Sequence, residues 1–147
     1  MIGEGAELAD LLPRLFRSQA YRELAAAQLF EAGLSFAPDT QAREHLATHA
    51  KEERAHHEAV IDLWAAWSGD PARALQATVE QHLAAHPLPT PETWLDLGMA
   101  RFLYDRAGHL QLREYRTCSF APYRQLVQGI LTDEDAHAIE GAVAIEG

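Results

Sequence analysis

The sequence predicts an all-α fold of two antiparallel helix pairs. Helical periodicity runs through almost the whole chain, no segment alternates as a strand would, and Gly- and Pro-containing turns divide the amphipathic stretches. A chain of 147 residues suits one domain, residues 1–147, with a single core.

The first long helix is expected from about Pro13 to Leu34, with Phe16, Ala20, Ala27, Phe30 and Leu34 on one stripe. Gly33 and Pro38 mark a turn, Asp39 or Thr40 can cap, and a second helix runs to about Trp67 with Leu46, Ala50, Val60, Leu63 and Trp67 facing inward. Asp70 as a cap and Pro71 at the first helical position open a short connecting helix to about Ala85. The third long helix, from Thr90 and Pro91 to about Tyr115, places Leu95, Gly98, Phe102, Leu112 and Tyr115 on one face. The fourth, from about Pro122 to Ile145, carries Leu126, Val127, Ile130, Leu131, Ala138 and Gly141 inward.

Each of the four stripes is interrupted by acid. Glu23 breaks the first, Glu53 and His56 the second, Asp105 the third, and Glu134 and His137 the fourth. An unpaired charge on a buried face costs several kcal/mol, so these side chains need partners from other helices. A lone Glu-x-x-His is close to chance in a chain with this many glutamates and histidines, and the spacing is more informative. Glu23 precedes Glu53 by 30 residues and Asp105 precedes Glu134 by 29, each second carboxylate being followed three residues later by histidine. "SFAP" also occurs at each hairpin turn, Ser35 to Pro38 and Ser119 to Pro122, as in a pseudo-repeat of two helix pairs.

The four acids fall near mid-helix, so they should meet at one height. With short hairpin turns and a long helical crossover between helices 2 and 3, this is the topology of a ferritin-like four-helix bundle. One carboxylate from each of two helices plus a Glu-x-x-His from each of the others is a ligand set for two iron or manganese ions: Glu23, Glu53, His56, Asp105, Glu134 and His137. His57 is expected to point outward beside His56, although either histidine serves as the ligand if the helix turns slightly. Asp133 and Glu52, each preceding a motif glutamate, can accept a hydrogen bond from the ligating histidine of the opposite helix. Without metal, the crowded carboxylates should have raised pKa values.

The ligand order, especially aspartate on helix 3, resembles the catalytic subunit family of bacterial phenylacetyl-CoA epoxidase, the phenylacetic acid catabolism family, over roughly residues 16 to 145. That resemblance implies two irons with Glu53 and Glu134 as the bridging, catalytic carboxylates. The family's longer C-terminal region has no counterpart here. The expected function is a non-haem di-iron oxidoreductase, monooxygenase-like, acting on dioxygen and a small organic substrate. The alternatives are a ferroxidase or peroxide-removing protein of ferritin or rubrerythrin type, or a non-enzymatic metal-binding bundle subunit. No flavin, nicotinamide or iron-sulfur motif occurs, so a separate reductase is the expected partner.

Composition narrows the remaining classes. A formal charge of −10 disfavours nucleic acid and acidic membrane surfaces. No apolar run approaches the ~20 residues of a membrane span, and the N-terminal stretch lacks the pattern of a signal peptide, so a cytoplasmic location is expected. Cys118 is the single cysteine and excludes an intramolecular disulfide. A homodimer is the expected assembly, because a bundle this small often buries a helix face against a second copy.

Overall fold

The fold was obtained as a computed structural model. It describes the backbone of residues 6–146 and the side chains of 10–103 and 107–133. The described residues are all-helical: α1 (Ala6–Gly33), a short 3₁₀ turn (Leu34–Phe36), α2 (Thr40–Ser68), α3 (Ala72–Ala85), α4 (Trp94–Tyr115) and α5 (Ala121–Glu146). The helices α1 and α2 form one packed pair and α4 and α5 another. These pairs meet through α2 against α5 and α1 against α4, while α3 lies across α1 and α2.

Local chemistry sets the boundaries. The Asp39 carboxylate accepts the Ala42 amide at 2.8 Å and starts α2. Thr93 accepts the Asp96 amide at 3.0 Å, so α4 begins at Trp94 rather than at Thr90 and Pro91. Pro71 occupies the position before α3 instead of its first turn, and no side chain caps that helix. The first helix starts before Pro13, which lies inside it; burial of Leu12, Leu15 and Phe16 beside it offsets the lost backbone bond and the steric cost of an interior proline. At the end of α2, Gly69 has φ 78° with open space around its Cα, and its amide reaches the Ala65 carbonyl at 2.9 Å. Gly69→Ala should therefore cost about 1 kcal/mol through backbone strain alone. Urea unfolding of the two proteins measures this.

Two apolar clusters make the core. The larger joins Phe16, Ala20, Leu24, Val60, Val79, Tyr123, Val127 and Ile130. The smaller joins Leu29, Phe30, Leu46, Ala50 and Leu97. The expected stripes of α1 and α2 are largely buried, but α4 turns a different face inward. Leu97 and Leu112 are buried, whereas Leu95 and Phe102 are 72% and 51% exposed. The helix is apolar on several sides, so periodicity does not select its phase. Gly33 helps select it: a Cβ there would collide with the Leu97 side chain, so the missing side chain on α1 admits the leucine of α4. The side chain of Asp105, on α4, lies outside the described residues. No helix among the described residues is long and apolar enough to cross a membrane.

Candidate metal centre

The seam between the two apolar clusters is polar. Glu23 on α1 follows Ala20 of one cluster and precedes Phe30 of the other, and Glu53 on α2 stands between Ala50 and Val60 in the same way. Packing of α1 on α2 brings their side chains together with His56. One ligand-type atom from each of Glu23, Glu53 and His56 lies within 4.8 Å of the others, and all three residues are buried. His56 Nδ1 is 3.5 Å from Glu23 Oε2 and 3.8 Å from Glu53 Oε2. Two donors bound to one ion at about 2.1 Å are separated by such distances when the angle between them is roughly 110–130°. The trio can therefore hold a divalent cation with modest adjustment.

His56 is oriented for that role. Its Nε2–H donates to Asp133 Oδ2 on α5 at 2.6 Å, while Nδ1 is buried without a hydrogen-bond partner and faces the two glutamates. In the neutral ring the proton on Nε2 leaves the Nδ1 lone pair directed at the carboxylates, as in carboxylate–histidine–metal arrangements. Asp133 thus makes the contact that its place beside Glu134 suggested.

In the metal-free protein the same ring carries charge. Burial disfavours the imidazolium, but Glu23, Glu53 and Asp133 outweigh it and raise the His56 pKa to about 11. Burial also pushes Glu23 upward, yet the polar contact with Glu53, the nearby charge of His56, and the Gln19 amide together hold it below the usual carboxylate value. The expectation of a raised pKa fails at Glu23 because an imidazolium sits among the acids and supplies the compensating charge.

His57 departs from its expected outward position. It is 3% exposed, and its Nδ1–H donates to the Ala20 carbonyl at 2.7 Å. The helix α2 packs on α1 and α5 at once, so neighbouring residues both face protein. The side chains of Asp105, Glu134 and His137 lie outside the described residues, as does the proposed contact of Glu52 with His137; their backbones belong to α4 and α5.

Two polar residues had escaped the sequence reading. Gln19 is 2% exposed; its Nε2 donates to Glu23 Oε1 at 2.5 Å, and its Oε1 accepts from Arg22. Its position four residues before Glu23 was the available signal. Arg22 also donates to Gln111 Oε1 on α4. Beside these groups a cavity of about 240 Å³ reaches Glu23 and Glu53, with Ala25, Ala26, Leu29, Phe30, Leu88 and Leu112 forming its apolar wall. The Arg101 guanidinium stacks over Phe30 at 5.2 Å from the ring centre. Comparison with family models, curated proteins and solved structures finds no match.

Proposed function

We propose that this chain is a ferritin-like four-helix bundle holding two iron ions, and that it works as a non-haem di-iron oxidoreductase of monooxygenase type. Manganese fits the same oxygen and nitrogen donors. The observation that carries the reading is the convergence of Glu23, Glu53 and His56 in a buried seam, with Nδ1 turned to the carboxylates and Nε2 fixed by Asp133. Asp105, Glu134 and His137, carried by α4 and α5, would complete the set, and Glu53 and Glu134 would serve as the catalytic carboxylates.

When bound, the metal pair supplies dioxygen activation and electron transfer. The chain's own residues supply the surroundings. Gln19 and Asp133 orient Glu23 and His56, while the packed apolar residues on either side of the seam exclude bulk water. The apolar cavity touching both glutamates favours a small organic substrate over iron storage, which needs no such chamber. A separate reductase delivers electrons, and the assembly is a homodimer in the cytoplasm without nucleic acid or membrane partners.

Anaerobic reconstitution with ferrous iron should give about two irons per chain by element-resolved analysis, because six ligands from four helices exceed the needs of one ion. A count of zero sinks the proposal. Oxygen uptake that requires a reductant but no excess ferrous iron supports the oxidoreductase reading, and uptake only with excess ferrous iron replaces it with a ferroxidase.

A further inference from the structure

We infer that the cavity beside Glu23 and Glu53 is a chamber for a compact apolar monocarboxylate, with Arg22 recognising the ligand's carboxylate. This rests on the oxidoreductase reading and narrows its organic substrate to one chemical class.

Size and wall chemistry set the body of the ligand. An apolar cavity of about 150 Å³ accepts benzene, or roughly 25 Å³ per heavy atom, so 240 Å³ accommodates about nine or ten. Leu29 and Phe30 from α1, Leu112 from α4 and Leu88 from the connection before it offer this body hydrocarbon and an aromatic face.

Arg22 sets the pole. Its two terminal nitrogens donate to the side-chain oxygens of Gln111 and Gln19, both neutral amides. Its Nε–H is buried and has no acceptor. Gln19 stands between Arg22 and Glu23, turning its oxygen to the guanidinium and its amide nitrogen to the carboxylate, so this acid does not consume the arginine's charge. Arg22 lines the cavity as a half-buried guanidinium whose two side-chain partners are neutral, and its remaining terminal N–H bonds offer an entering carboxylate charge-assisted hydrogen bonds. The Arg101 guanidinium, stacked over Phe30, lies on the same wall. A neutral alcohol fills the hydrocarbon space but cannot supply an anionic acceptor. Glu23 and Glu53 also line the cavity and oppose an anion until their charge is compensated, so the metal-loaded protein should be the tighter-binding form.

The test is calorimetric titration of hexanoate, 1-hexanol and hexylamine into zinc-loaded protein, with metal counted on the same sample. Hexanoate should bind about tenfold tighter than the other two, the scale of a charge-assisted hydrogen bond. Arg22→Met should erase this preference while leaving hexanol affinity unchanged, and Ala26→Phe should block all three by filling the chamber. If Arg22→Met does not fold, Arg22→Lys carries the test, with at least about a threefold loss of hexanoate preference from the altered geometry. Hexanoate binding no tighter than hexanol, or a preference untouched by the Arg22 variant, overturns the inference. Loaded protein without the preference overturns the chamber alone. A preference in protein that takes up no metal keeps the chamber and overturns the two-metal reading.

Discussion

Replacing His56 with alanine should destabilise the metal-free protein by about 3–5 kcal/mol, the usual cost of removing one partner from a buried charged cluster. The imidazole is 8% exposed and lies between two glutamates that are each at most 4% exposed. Its loss leaves Glu23 with the Gln19 amide as a donor and, among the described residues, takes away the cation nearest to it. For a chain of this length that corresponds to a fall in Tm of roughly 10 °C. Lower pH should partly rescue the variant, because protonating a carboxylate removes the repulsion. Asp133→Asn should cost much less, about 1 kcal/mol or below, since Asp133 is half exposed and water can replace it. Denaturant unfolding at pH 7 separates the two variants, and equal small losses would show that the cluster is not held by the imidazolium.

Metal should raise the stability of the wild-type protein, and the increment should grow with pH. At a free concentration 100 times the dissociation constant each site adds about 2.7 kcal/mol. The metal-free protein has its own pH dependence. His56 moves from 6.5 unfolded to about 11 folded, so its contribution is complete below 6.5 and is lost as pH rises through 11, at up to about 1.4 kcal/mol per unit. Glu23 has the opposite sense: its lowered folded pKa contributes above the unfolded value of 4.5 and is lost as pH falls through the folded value. These two groups place their combined optimum between about pH 4.5 and 6.5. Metal ligation requires His56 Nδ1 to be free of its proton, so acid weakens binding while alkali strengthens it. Thermal scans with and without manganese at pH 5.5, 7 and 8 should diverge progressively. Identical curves at every pH would remove the metal site.

Much of this site was legible because buried acids interrupt apolar stripes. Glu23, Glu53 and His56 could be read from two helices whose inward faces are clearly marked by Phe16, Ala20, Phe30, Leu46, Ala50 and Val60. The phase of α4 was not legible in that way. Leu95, Met99, Phe102, Leu103 and Leu110 are all large, apolar and exposed, and the selection of Leu97 depends on a glycine 64 residues earlier. Periodicity also presumes one buried face per helix, which fails for α2: His56 reaches α5 while its neighbour His57 reaches α1. Nothing in the local sequence marks Arg22, because its partner Gln111 lies on another helix 89 residues away.

The contact of His56 with Asp133 also bears on how the bundle fills. Asp133 immediately precedes Glu134 along α5, so the ring that serves the α1–α2 half is tethered to the backbone carrying a proposed ligand of the other half. A cation held by His56, Glu23 and Glu53 would act on that stretch of α5 through the Asp133 contact. If the proposed second set also takes an ion, the two loadings are then linked through one stretch of α5, and the affinity for the second ion depends on the presence of the first.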